Sequence, residues 1–371
     1  MNTIVYVGMD VHKESFTLCC YSYNRDKVEF KQTIPSDYRL VLKYMERVRE
    51  QYEGEVKFIC GYEAGCLGYS LYHQLNSHAV ECKILAPTTM AITNTNRIKT
   101  DKRDAGNIAR CLAFHTYSEV YVPDDEDESI KEFIRMRDDQ KKALKKIKQQ
   151  TLAFVLRKGK RFDGSRTYWT RSHIKWLREL DLEGLDKETL NEYLITYEYL
   201  TDKVQRLDDR ILELADKEKY REKVQNMSCF LGIRTHTALS LAVEVGDFNR
   251  FEKASKFAAF LGLVPGENST SDSVNRLSIT KAGNSHLRWL LTEAAQSYTR
   301  GAIGHKSVAL KARQSKCSTD IIAYADKANE RLRRKFYKMT LQKSINRNIA
   351  ATAVARELAC FIWGMNTGNI T

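Results

Sequence analysis

Proline is scarce, 4 residues in 371. So few helix breakers exclude polyproline and collagen-like chains and leave room for long, uninterrupted helices. Long apolar runs are missing too. No window approaches the ~18 uninterrupted apolar residues of a membrane span, and the opening MNTIVYVGMDVHKE carries no basic stretch ahead of its apolar one. The expectation is a chain that is neither secreted nor membrane-bound. Cysteines number nine, an odd count, and Cys19, Cys20, Cys60, Cys82 and Cys111 lie in apolar stretches with neither CxxC nor Cys/His ligand spacing. That argues against a disulfide scaffold or a structural zinc site and for reduced core thiols. The remaining composition, 43% hydrophobic and 29% charged, is that of a folding globular chain, and the length predicts two or three domains.

Acids are outnumbered, 47 against 60 Lys+Arg, for a formal charge of +13. Such an excess fits nucleic acid, acidic proteins or an anionic membrane surface, and only its distribution discriminates. Residues 274–350 hold sixteen Lys/Arg against four acids, a local +12. Tyr298, Tyr324 and Tyr337 are interleaved with these cations and no continuous apolar face opposes them. That favours nucleic acid over a membrane.

The first ~115 residues alternate between strand and helix periods. Thr3–Gly8, Ser15–Tyr23 and Val28–Ile34 read as three consecutive strands. After them come a helix over Tyr38–Glu50, a strand over Val56–Tyr62, a helix over Tyr69–Leu75 and a strand over Val80–Leu85 stopped by Pro87. That order predicts a mixed sheet covered by helices. From Asp124 the chain turns to long, Gly-poor helices. One spans Ile130–Phe154; in another, Leu190, Tyr193, Tyr197, Leu200, Val204, Leu207, Ile211 and Leu214 step by three or four, the spacing of a coiled-coil seam. Between them, about Gly159–Gly184 reads as an irregular tip. The expected division is 1–123 as an α/β domain, 124–226 as a coiled-coil arm that dimerises protomers, and 227–371 as a mostly helical domain.

Asp10 ends the first strand and Glu63 ends the strand FICGY. Asp101 and Asp104 are spaced i, i+3 and share one face at the start of a helix. Each alone reads as a strand-end or capping acid. Together, if the strands ending at Asp10 and Glu63 are neighbours, they gather hard oxygen ligands that call for cations. Two Mg²⁺ about 3.5–4 Å apart would clamp the attacking and leaving oxygens of an in-line phosphoryl transfer. Gly8, Gly61 and Gly65 beside these acids read as points where backbone closely approaches a ligand. Lys99, Lys102 and Arg103 read as phosphate holders or solvated helix-end charges. His12, His236, His286 and His305 show no ligand spacing and read as ordinary surface or core histidines.

GMDVHKE (8–14), GYEAG (61–65) and KTDKRDA (99–105) resemble the RuvC-like, ribonuclease-H-fold domain of the DEDD-type insertion-sequence transposases, recombinases guided by a bridge RNA. KTDxxDA is the most specific match. At Glu63-Ala64-Gly65, relatives usually have Thr or Ser before the glycine. The resemblance implies that Asp10, Glu63, Asp101 and Asp104 form the metal-binding tetrad. It further implies a prokaryotic cytoplasmic enzyme acting on donor and target DNA with a structured guide RNA, as a homodimer that becomes a tetramer in synapsis, with an active site shared between subunits.

LGLVPGENSTSDSVNRLSITKAGNSHLRWLLTEAA (261–295) resembles the second domain of the same family, in which a serine nucleophile follows GLxP. The Ser-Gly pair usual in relatives is replaced here by Thr270-Ser271, preceded by Ser269. Ser269 is favoured, then Ser271, with Thr270 retained because its hydroxyl does similar chemistry. Read without the resemblance, this stretch is a polar turn with a helix cap. LGIRTHTALSLAVEVGD (231–247) reads as a helix-hairpin-helix phosphate clamp turning at Gly232, or as an ordinary αα-turn. Arg276, Lys281, Arg288, Arg333, Arg334 and Lys335 complete the expected nucleic-acid contacts. Competing readings are a plain RuvC-like nuclease or junction resolvase, and a non-catalytic nucleic-acid-binding scaffold. An intact tetrad argues against the scaffold, and the serine loop and long coil argue against the plain nuclease.

Overall fold

The computed structural model describes residues 3–65, 67–90, 101–164, 167–267 and 276–370, with the backbone alone at Thr88, Asp101, Lys102 and Arg276. The chain divides into two units, Met1–Val122 and Pro123–Thr371.

In the first unit, runs of β-branched, aromatic and cysteine side chains give β1 (Thr3–Val11), β2 (Ser15–Ser22) and β3 (Lys27–Pro35). There follow α1 (Tyr38–Arg49), β4 (Val56–Glu63), α2 (Ser70–Ser77), β5 (Glu81–Leu85) and α3 (Asp101–Phe114). The sheet runs in the order β3-β2-β1-β4-β5. β1–β2 and β2–β3 are antiparallel, while β1–β4 and β4–β5 are parallel. Both faces are buried, as parallel strands joined through helices require. Val5, Val7, Met9, Phe58, Cys60, Cys82 and Ile84 meet α1 and α2 through Val41, Tyr44, Leu71 and Leu75. On the other face Tyr6, Tyr21 and Leu85 meet Ile108, Ala109 and Leu112 of α3. Among the described residues no disulfide forms, and the cysteines are mostly buried. Burial pushes the Cys20 and Cys82 thiols up to about 12, so they are inert packing groups.

The second unit opens with α4 (Asp125–Arg157), a helix of 33 residues. The Asp124 side chain caps it by accepting from Asp127 N, and four acids in its first turn complement the helix dipole. α5 (Arg171–Arg178) and α6 (Gly184–Ala215) follow. α4 and α6 pack as an antiparallel hairpin: Phe154 and Val155 meet Leu190 and Leu194, Leu144 and Ile147 meet Tyr197, Leu200 and Val204, and Ile130 and Ile134 cluster with Ile211 and Leu214. The seam of α6 is therefore filled by this chain's own α4, so the heptad-like spacing reflects an intrachain pair. The expected irregular tip contains α5, capped by the Thr170 hydroxyl, which accepts from His173 N at 3.3 Å.

α7 (Glu218–Met227), α8 (Thr235–Val245), α9 (Ala254–Phe260), a short antiparallel pair β6 (Pro265–Glu267) and β7 (Arg276–Ile279), α10 (Ser285–Ala295), α11 (Val308–Gln314), α12 (Thr319–Tyr337) and α13 (Arg347–Asn366) complete the unit. Its core draws on α7, α8, α10, α12, α13 and the base of the hairpin. Among the described residues no helix is long and apolar enough to cross a membrane.

Candidate active site

The first unit sets two of the expected acids, Asp10 and Glu63, side by side at the end of its sheet, with the start of α3 on the same face. β1 and β4 pair in parallel with Gly8 opposite Gly61 and Met9 opposite Tyr62. One step further along that register sets Asp10 beside Glu63, at the carboxyl ends of adjacent parallel strands. Side chains alternate across a strand, so Asp10 shares the face of Gly8, and Glu63 that of Gly61. That face carries α3. A Cβ on Gly8 would collide with the Ala105 carbonyl oxygen and the Ala109 backbone nitrogen, and one on Gly61 would lie 2.8 Å from Leu85 Cδ1 and 2.9 Å from Leu112 Cδ2. These paired glycines therefore admit the helix rather than a ligand, correcting the sequence expectation. The helix they admit begins with Asp101 and Asp104, the latter adjacent to Ala105. Gly65 differs: its nearest neighbour would be the Glu63 carbonyl oxygen at 3.8 Å, and it is exposed.

Asp10 is 18% exposed in its side chain and lies 3.3 Å from His12 Nε2. Glu63 is exposed and Asp104 half-buried; among the described residues neither has an ion-pair partner. Carboxylates at neighbouring strand ends and at the start of α3 are oxygen donors, of the kind that suits a hard divalent ion. Among the described residues no three His, Cys, Asp or Glu side chains draw together as a metal cluster, and the Asp101 side chain lies outside them. His12, read from sequence as an ordinary surface or core histidine, is an exposed residue whose pairing with Asp10 the sequence reading did not anticipate. Its position two residues after Asp10, on the same side of the strand path, is the signal that would have found it.

Ser269, Thr270 and Ser271 lie outside the described residues, as does Lys99, while β6 and β7 bracket that serine-bearing stretch. The hairpin base is tied down: Thr280 N donates to Val264 O at 2.9 Å, Lys281 N to Gly262 O at 3.2 Å and Asn284 N to Phe260 O at 2.9 Å. Gly232, expected to open a phosphate clamp, has φ +85° and abuts the Ala294 carbonyl of α10; its freedom serves the tight approach of the α7–α8 turn to α10.

Of the cations expected on nucleic acid, Arg103 and Lys281 are exposed, and Lys102 and Arg276 are described only in backbone. Others are engaged in the fold. Arg288 donates to Leu261 O at 2.9 Å, and Lys335 lies 2.7 Å from Glu357, which also takes Arg331, whereas Arg334 makes only an exposed surface pair with Glu330 at 3.3 Å. Arg333 is 3% exposed and donates to Ala302 O; it is a core residue that cannot reach a phosphate. Glu357 stands beyond the basic stretch in sequence, so counting charge along the chain misses its neutralising effect.

Carboxylates at the parallel edge of a mixed five-stranded sheet, with a helix crossing it over paired glycines, are compatible with the ribonuclease-H-like DEDD fold of a DNA-acting phosphoryl-transfer enzyme. Residues 7–158 match the DEDD transposase family model of the IS110 group, and residues 225–306 match the model described as Transposase IS116/IS110/IS902 family. The transposase for insertion sequence element IS1533 of Leptospira borgpetersenii is 33% identical over 91% of this chain and 96% of its own length. The putative transposase y4qE of Sinorhizobium fredii is 31% identical over 97% of this chain and 88% of its own length. The transposase for IS1111A of Coxiella burnetii is 26% identical over 84% and 83%. The chain belongs to the IS116/IS110/IS902 family of insertion-sequence transposases. It is a DNA transposase, and membership of the DEDD group suggests dependence on a divalent metal.

Proposed function

We propose that this transposase cuts and rejoins the DNA at the ends of its element with a Mg²⁺-binding tetrad, Asp10, Glu63, Asp101 and Asp104, and a hydroxyl nucleophile from Ser269, Thr270 or Ser271. The observation that carries the tetrad is the Gly8–Gly61 register with α3 lying over it, because it directs Asp10, Glu63 and the start of α3 to one face of one sheet edge. When bound, Mg²⁺ would supply charge neutralisation at the scissile phosphate. The carboxylates hold that charge in place, and His12 orients Asp10. The nucleophile's oxygen forms a bond to phosphorus while its proton is lost to a base. The bond to the departing strand oxygen breaks, and that oxygen takes up a proton. Attack by the hydroxyl of a new strand end reverses the step, so bond energy is conserved for rejoining. In the same reading, a structured RNA pairs with donor and target DNA, and the 1–123 and 227–371 domains of different protomers complete one site within a dimer or synaptic tetramer.

Asp10→Ala and Asp104→Asn should each abolish excision of the element in cells while leaving the chain's affinity for nucleic acid in place. Retained excision in both would sink the tetrad. Mapping of the captured protein–DNA adduct by mass spectrometry should find the link at Ser269, Thr270 or Ser271; absence of any adduct favours hydrolysis by water and the resolvase reading.

A further inference from the structure

Between α4, α8 and the start of α10 lies a buried polar network that none of the sequence motifs announced. His286, in the first turn of α10, bridges two carboxylates: its Nε2 lies 2.8 Å from Asp138 Oδ2 of α4, and its Nδ1 is hydrogen-bonded to Glu244 Oε1 of α8. Both carboxylate side chains are 2% exposed. Asn284 Nδ2 donates to Glu244 Oε2 at 2.8 Å, while its Oδ1 caps α10 by accepting from Leu287 N at 3.0 Å. Arg135 donates to the same Glu244 oxygen at 2.8 Å. Arg137 donates to Asp138 at 2.9 Å and makes a two-pronged pair with Asp208 of α6 at 2.6 and 2.9 Å. His236 Nε2 lies 3.0 Å from Asp138 Oδ1.

Three acids, Asp138, Glu244 and Asp208, face Arg135, Arg137 and a protonated His286, so the set balances as a closed ion network. Burial pulls His286 down, but its bonds to Asp138 and Glu244 outweigh that and hold it up at about 9. Both ring nitrogens therefore donate at neutral pH. Glu244 is held low despite its burial, through His286 and Arg135. α13 also packs on α10, but its Glu357 is occupied by Arg331 and Lys335.

The network has an address in the chain. Asn284 and His286 follow directly on β7 and Lys281-Ala282-Gly283. Gly283 has φ +97°, and a Cβ there would strike the Phe260 carbonyl. Asn284 N holds that same carbonyl, and Arg288 holds the next one, Leu261 O. The three- and four-residue strands β6 and β7 have little core of their own. Their direction is set where they leave the body of the unit, and this is where the network clamps them to α4 and α8. We propose that His286, bridging Asp138 and Glu244 and flanked by Asn284, is a positioning residue for the nucleophile, fixing the base of the hairpin that brackets residues 268–275. This rests on the reading above that a hydroxyl in that stretch attacks the DNA.

The test uses the full-length chain purified from cells carrying its element, so that any co-purifying RNA is kept, with duplex DNA of the element's end. Single-turnover formation of the covalent adduct and DNA affinity are measured separately. His286→Gln, which loses the charge and one donor, should slow adduct formation about tenfold to a hundredfold, as expected for a misplaced reacting group, with DNA affinity unchanged. His286→Arg, which keeps charge and donors, should recover part of the rate. In the wild type the rate should fall above about pH 9 as His286 loses its proton, and Glu244→Gln should move that limb to lower pH. Adduct formation that is unchanged in His286→Gln overturns the positioning role and leaves the nucleophile reading standing. Parallel loss of DNA affinity and adduct in His286→Gln, with the alkaline limb of Glu244→Gln unmoved, shows a merely structural network and also overturns it. A wild-type chain that cleaves without forming an adduct overturns the nucleophile reading and, with it, this proposal.

Discussion

At the scale of single residues, glycines and histidines proved hardest to read from sequence. Gly8 and Gly61 flank two of the acids in the GMD and GYE motifs, and their spacing alone does not distinguish close approach of a ligand from close approach of a helix. The structure makes them a paired slot beneath α3, so the seating of α3 on β1 and β4, next to Asp10 and Glu63, depends on two residues with no side chain. Gly8→Ala should displace α3 from the sheet and lower the stability of the first unit by about 1–3 kcal/mol, the usual cost of overpacking. It should also weaken excision, because Asp104 moves with the helix. Gly65→Ala, where a Cβ meets nothing closer than 3.8 Å, should leave the melting temperature near the wild-type value. Thermal unfolding of the two variants side by side checks this; equal melting temperatures would refute the slot. The ion network escaped sequence reading for a different reason. Asp138, Glu244 and His286 are more than a hundred positions apart at the extremes, and each sits in a locally ordinary helix.

Elements were legible where periodicity is strong. β1, β2, β4 and β5 follow from runs of Val, Ile, Tyr, Phe and Cys, β3 from a shorter pattern that stays mostly half-buried or exposed, and α1 from a single apolar stripe of Val41, Tyr44, Met45 and Val48. β6 and β7 are too short to show a period, and α5 was hidden in a segment whose glycine and aromatic content suggested irregular structure. The seam on α6 was legible as a seam, but its partner was not, because heptad spacing is the same whether the facing helix comes from this chain or another. With α4 filling it, Leu190→Ala should cost about 2–5 kcal/mol, the range for truncating a buried leucine, since Leu190 is fully buried against Phe154 and Val155. Light scattering should give the same mass for variant and wild type, with only the melting temperature reduced. A mass that halves would instead mean that the seam also joins protomers.

Over the whole molecule, net charge was legible as a bias toward nucleic acid, but its usable part was not. The +12 of residues 274–350 includes cations the fold consumes: Arg333 in the core, Arg331 and Lys335 on Glu357, Lys306 on Asp326. What remains for a phosphate backbone is a smaller set of exposed cations, among them Arg300, Lys311, Lys316, Lys327, Lys338, Lys343 and Arg347. Each phosphate contact releases condensed counterions, so losing one makes the fall of log affinity with log salt shallower by about 0.9 for duplex DNA. Replacing Lys338 and Lys343 together by alanine should therefore flatten the salt dependence of the full chain's DNA binding by up to about 1.8 while leaving its melting temperature unchanged. Arg333→Ala should do the reverse, lowering the melting temperature through the lost bond to Ala302 O and leaving the slope of the folded fraction as it was. Titrations of element-end duplex across a salt series, run on both variants, separate the two classes of cation. A flattened slope in Arg333→Ala, or an unchanged one in the double lysine variant, would return the docking surface to the arginines that the bare sequence favours.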